Sequence, residues 1–145
     1  MDTIMTFDFE RRLVLGFSGL AAAAIGLAIT LDPQAFYASY GIVLTPQPNL
    51  MSELRAPGAN LAVLGVIILA GAFYKKIAHA AALLGTAVFF AFAAGRTASL
   101  FLDGRPSDGL LAALGIEVIL AVSCLWVARQ QGLSASAQGG AHQAI

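Results

Sequence analysis

The chain has 145 residues, 59% of them hydrophobic and only 11% charged, with a mean hydropathy of +0.81. Soluble domains carry about 25% charged residues, so a water-soluble fold is excluded: one core of this size could not hide so much apolar side chain. Eight Lys and Arg balance eight Asp and Glu, which removes the basic field that a nucleic-acid partner needs, and the lone Cys124 excludes an intrachain disulfide or a multi-cysteine metal site.

The few charges sit at the ends of long apolar windows. Leu13–Leu31, Ala56–Tyr74 and Ile77–Gly95 contain no acid, lysine or arginine, and Gly109–Ala128 contains only Glu117. A bilayer core of about 30 Å takes about 20 helical residues, and none of these windows has a polar face of helical period. The fold class predicted is all-α, an integral membrane four-helix bundle. Its spans are expected at about 11–31, 53–74, 77–102 and 108–128 within a single domain 1–130.

In chain order, the leading "MDTIMTFDFE" is acidic where a cleaved signal would be basic, so span 1 is expected to be retained. Arg11 and Arg12 precede span 1, Lys75 and Lys76 separate spans 2 and 3, and Arg129 follows span 4. Basic residues collect on the cytoplasmic side, which places the N-terminus and C-terminus there, with Tyr74 and Trp126 at that interface. The first outer loop holds Asp32 followed by Pro33, an N-cap with proline at the first helical position, and Gly41 as a stop. A short outer helix follows from these, with Phe36, Tyr37 and Tyr40 at headgroup level. Pro46 and Pro48 then lead to span 2, and Pro57 argues that its helix starts late, near Ala56. The tail 131–145, small and polar, is expected to be disordered.

Small residues recur at spacings of three and four in every span: Gly16, Gly19, Ala23 and Gly26; Gly58, Ala62 and Gly65; Ala78, Ala81, Ala82 and Gly85; Ala112, Ala113 and Gly115. Such spacings let helix backbones approach closely in lipid.

Two charges interrupt the apolar windows. Arg96 lies about 10 Å below the outer end of span 3, and Glu117 about 13 Å below that of span 4. An unpaired charge at the helix centre costs about 2.5–3.5 kcal/mol. Arg96 can snorkel outward, whereas Glu117, shorter and deeper, must be paired, protonated or wetted. A salt bridge between them is the expected answer. Glu53, Arg55 and Asn60 of span 2 and Ser99 and Asp103 of span 3 complete a candidate polar cluster in the outer half. Its role is open between a clip that ties helices together, a cleft for the polar head of a lipid-like ligand, and proton or ion translocation. The "DGRPSDG" turn reads as solvated, with Arg105 within possible reach of Glu53.

The remaining tempting residues read as structural. His79 is an interfacial histidine without metal-ligand company, Cys124 has no basic partner on its face, and Phe89, Phe90 and Phe92 are apolar filler. No nucleophile–base pair, phosphate-cradling loop or zinc spacing occurs. The chain is therefore expected not to be an enzyme and to need no cofactor or metal.

The segments "SELRAPGANLAVLG" and "GRTASLFLDGRPS", with the later Glu117, make the chain resemble a bacterial four-span membrane family catalogued as a domain of unknown function, family 4345. The likeness covers about residues 10–130. It matches Ser52, Glu53, Leu54 and Arg55 to the family's lead into span 2, Gly95, Arg96, Ser99, Asp103 and Gly104 to its close of span 3, and Glu117 to its span 4 acid. Where that family tends toward paired glycines after the arginine, this chain has Pro57, Gly58 and Ala59. The resemblance implies a multi-pass protein of the bacterial inner (plasma) membrane and no settled activity; a broader likeness to small four-span proteins of the DoxX type is one of fold alone. The function expected is a non-catalytic accessory or lipid-handling role, the alternative a small transporter or proton-coupled carrier. Expected partners are the lipid bilayer, a lipid-like small molecule and a second copy of the chain.

Overall fold

The structure, a computed structural model, describes the backbone of residues 2–142 and the side chains of residues 7–133. It is all-helical among the described residues: α1 (Asp2–Leu31), α2 (Pro33–Ala38), α3 (Pro48–Phe73), a 3₁₀ turn (Lys75–Ile77), α4 (Ala78–Leu102) and α5 (Asp108–His142). Four helices are long and apolar enough to cross a membrane: Phe7–Leu31, Pro48–Phe73, Lys75–Leu102 and Asp108–Leu133. The protein is a four-helix membrane bundle. Its outward faces are apolar, with Phe17, Val63, Phe90 and Ile119 all exposed, and only lipid makes such a surface stable.

The short helix forms as its sequence dictates. The Asp32 carboxylate accepts a hydrogen bond from the Ala35 N–H at 3.0 Å, Pro33 occupies the first turn, and Gly41 turns the chain with φ +77°. Helix α3 begins earlier than expected. Pro48, not Pro57, stands at its first turn, and Pro57 lies inside it. The ring of Pro57 removes one hydrogen bond, to the carbonyl of Glu53; that carbonyl is close to the helix start, where solvent can serve it. Helix α5 also exceeds its expected end. It continues to His142, so residues 131–142 extend an existing helix where composition alone suggests a disordered tail. Alanine and glutamine propagate a helix without the cost of nucleation, and no proline interrupts the segment. Residues 143–145 lie outside those described.

Packing is dominated by two antiparallel pairs, α1 with α3 and α4 with α5, joined mainly along α3 and α4. At the α1–α3 seam the backbones touch. A Cβ on Gly19 would fall 2.7 Å from the carbonyl oxygen of Gly65, one on Gly26 2.6 Å from that of Gly58, and one on Gly65 2.8 Å from that of Gly19. The spacing Gly-x₃-Ala-x₂-Gly recurs in both helices, over 19–26 and 58–65. In lipid there is no hydrophobic drive between helices, so close van der Waals contact has to supply the association. The α4–α5 seam is looser: Gly85 faces the Cys124 side chain, whereas Gly95 and Gly115 have nothing within 4 Å of a would-be Cβ. Cys124 in turn donates its S–H to the Ser18 hydroxyl at 3.4 Å, a fully buried link from α5 to α1.

The two classes of glycine should respond oppositely to substitution. Gly65→Ala sets a methyl against backbone that cannot yield, and is expected to lower stability by about 1–3 kcal/mol, as overpacking does. Gly115→Ala meets open space and gains helix propensity, so it should be neutral or stabilising. Thermal unfolding of the two variants in detergent checks this; equal effects would refute the seam.

Candidate functional site

Helix α4 rises to the outer end and α5 descends from it. Eleven residues separate Gly85 from Arg96 on α4, but seven separate Cys124 from Glu117 on α5; with Gly85 facing Cys124, Glu117 sits four residues, about 6 Å, deeper. The directions of the side chains close that gap. Side chains lean toward their own helix N-terminus, so Arg96 leans inward and Glu117 leans outward, toward each other. The Arg96 Nε–H donates to both carboxylate oxygens of Glu117, at 2.8 Å to Oε1 and 3.0 Å to Oε2. The glutamate side chain is 12% exposed and the arginine 33%. The acid is sheltered; the base remains partly open.

This geometry is not the two-pronged fork in which a guanidinium offers two nitrogens to a carboxylate. One N–H is shared between two oxygens, and Nη1 and Nη2 make no hydrogen bond among the described residues. A small cavity of about 70 Å³ adjoins Arg96, lined also by Ser99, Leu100, Pro106, Leu110, Leu111 and Leu114. It thus combines one cation with donors to spare, one hydroxyl and an apolar wall. Such a site can hold an anionic group attached to an apolar body.

The other candidate residues divide into two groups. Ser99 shares the cavity and donates its hydroxyl to Asp103 at 2.8 Å, an exposed pair on one face of α4. The α3 residues are not brought to the ion pair, because α3 packs on α1 and α4 and has no direct packing with α5. Glu53 and Asn60 are exposed. Arg55 instead donates through Nη1 to the carbonyls of Thr30 at 2.8 Å and Leu31 at 3.4 Å. It caps the C-terminus of α1, whose last carbonyls have no intrahelical partner. Nor does Arg105 reach Glu53: it pairs with Asp108 at 2.9 Å, both exposed.

A second buried cation was hidden in the Arg11–Arg12 pair, which sequence alone reads as a topology signal. Arg11 is fully buried. Its Nη1 donates to the carbonyls of Gly71 at 2.7 Å and Ala72 at 3.3 Å, capping the C-terminus of α3. Its Nε lies 3.7 Å from Asp8, which is also bonded to Lys75. Neighbours on a helix are turned by about 100°, so only one member of an adjacent pair can face the bundle. That rule marks one of the two arginines as inward, without saying which.

Four apolar helices and a charge pair within the hydrocarbon define a small multi-pass membrane protein. The chain belongs to a family that has been described as Domain of unknown function (DUF4345), whose model matches residues 11–128. That range includes Arg11, Arg55, Arg96 and Glu117. No curated protein and no solved structure matches the chain.

The ion pair makes a quantitative prediction. Breaking a buried pair costs about 3–5 kcal/mol, and the partial exposure of Arg96 reduces this. Glu117→Gln is therefore expected to destabilise by about 1–3 kcal/mol, and Arg96→Gln added to it should cost less than the two single changes together. A double-mutant cycle by reversible unfolding in mixed micelles should give a coupling of at least about 0.5 kcal/mol. Strict additivity would mean that the pair contributes nothing.

Proposed function

We propose that this protein is a non-catalytic, lipid-handling protein of the bacterial plasma membrane, with both termini cytoplasmic, which holds the anionic head of a lipid-like molecule beside Arg96. The observation that carries the reading is the incomplete use of the Arg96 guanidinium. Glu117 engages Nε alone, and the cavity that Arg96 lines is otherwise walled by Ser99, leucines and a proline. Glu117 then has two parts to play. It keeps Arg96 from snorkelling fully to the surface, and it holds the guanidinium in place so that binding costs less ordering. The orientation is supported by charge: Arg11, Arg12, Lys75, Lys76 and Arg129 belong to one end of the bundle.

The test uses the full chain in a neutral maltoside detergent, titrated with dodecyl phosphate and followed by calorimetry. Saturable binding is expected. Arg96→Gln should weaken it at least about tenfold, since charge-assisted hydrogen bonds contribute about 1.5–3 kcal/mol. Leu111→Trp, which fills the cavity without touching a charge, should weaken it as well. Glu117→Gln should weaken it in the protein that folds, because the guanidinium is no longer held beside the cavity. Undiminished binding by Arg96→Gln would overturn the reading.

A further inference from the structure

We propose a second lipid site at the opposite end of the bundle: a groove between α4 and α5 that seats an anionic phospholipid, its acyl chain along the leucines and its phosphate on Arg129. The groove is open and has a volume of about 410 Å³, within the ~300–1,000 Å³ of small-molecule sites. It is distinct from the Arg96 cavity and does not depend on the function proposed for it.

Most of the groove is ordered as a phospholipid is: Leu83 on α4 and Leu125 on α5 lie deeper, and His79 and Arg129 lie one turn nearer the end, with Leu133 a further turn out beyond the charge. No acid lines the groove. Arg129 is exposed and makes no ion pair or hydrogen bond among the described residues, in contrast to Arg11, Arg55, Arg96 and Arg105, which all have partners. Arg12, the other arginine without a hydrogen bond or ion pair among the described residues, acts on Asp8, and of these two only Arg129 adjoins an apolar groove. His79 adds a polar group of defined orientation. Its Nδ1 lies 3.0 Å from the Ala128 carbonyl oxygen, which can only accept, so Nδ1 carries the proton and the Nε2 of the neutral ring is an acceptor, suited to a headgroup hydroxyl and not to the phosphate itself. Exposed Lys76 on the neighbouring turn adds to the positive field. A zwitterionic lipid would satisfy the apolar wall and leave this field unanswered. Net negative charge on the head is what the site selects.

Native mass spectrometry of the intact protein, released from detergent with equimolar phosphatidylglycerol and phosphatidylcholine, tests the proposal. One phosphatidylglycerol should be retained in preference to phosphatidylcholine. Arg129→Gln should lower that preference about fivefold, the effect of one basic side chain near an anionic surface. A Cβ on Gly132 would stand 3.6 Å from the His79 ring, so Gly132→Leu projects into the groove and should lower retention with the charge unchanged. Arg12→Gln, which removes an exposed cation on α1, should leave retention as it is. Equal retention of the two lipids, retention unaffected by Arg129→Gln, or an equal loss with Arg12→Gln would each overturn the site, the last by showing that bulk charge is responsible.

Discussion

The backbone contact between α1 and α3 is the constraint on which the other parts of this bundle depend. Gly19, Gly26, Gly58 and Gly65 let the two helices approach until a single methyl would meet opposing main chain or a β-branched side chain. At that separation the ends of each helix come within reach of side chains from the other, and two arginines use this. Arg55 of α3 donates to the last carbonyls of α1; Arg11 of α1 donates to the last carbonyls of α3. Each cation also meets the negative end of a helix dipole. The pair is thus fastened at both ends by the groups that lipid cannot satisfy, the terminal carbonyls, and by the close contact between them.

A charge inside such a bundle has to be answered, and four of the five arginines within the helices show how differently this is done. Arg11 and Arg55 are matched by backbone dipoles, Arg96 by a carboxylate, and Arg129 by nothing among the described residues. Matching by carbonyls uses a partial charge, and at the fully buried Arg11 it is supplemented by Asp8, 3.7 Å from Nε. Matching by Glu117 is of another kind: it places a full negative charge in an apolar span where no helix end requires one. Removing both charges would leave a simpler and equally helical bundle. Their retention together, beside a cavity, is what makes the α4–α5 pair the functional half of the molecule in the reading adopted above.

The four spans, the small-residue spacings that permit close helix approach and the Arg96–Glu117 pair were legible in the sequence because each follows from a one-dimensional rule. Span length follows from bilayer thickness, close approach from glycine spacing, and the ion pair from the cost of two lone charges at similar depth. What the sequence left open was which helices are neighbours. Asn60 lies inward in the outer half and Glu53 nearer the rim, yet α3 makes no close approach to α5, and depth alone cannot express that. The start of α3 was misjudged for a related reason. Pro48 and Pro57 both fit a first-turn proline, and only the local solvation of the Glu53 carbonyl distinguishes them. Arg11 was hidden by its neighbour, since a basic pair at a span end satisfies the topology rule whichever way either side chain turns. In span 4, Ala112, Ala113 and Gly115 have the spacing of a packing face but are exposed or only half-buried, which shows that small residues permit close approach without enforcing it.

That last difference bears on how a ligand would gain entry. Only 22% of the apolar stretch of α5 is buried, against 39% for α3 and for α4, and its outer half is the part with least covering. A seam held by backbone contact is stiff, because any separation forfeits many contacts at once. A seam held by one bifurcated ion pair, with open space at Gly95 and Gly115, can widen by the length of a hydrogen bond and still keep its register through Gly85 and Cys124. The fold therefore divides into a pair in backbone contact, α1–α3, and a pair closely packed at the level of Cys124 and bridged by the ion pair, with open space at Gly95 and Gly115, at the level of Arg96. A carboxylate that holds the arginine while the cavity is empty, and gives up none of its own hydrogen bonds when the free nitrogens take a ligand, suits that loose end better than a second rigid seam would.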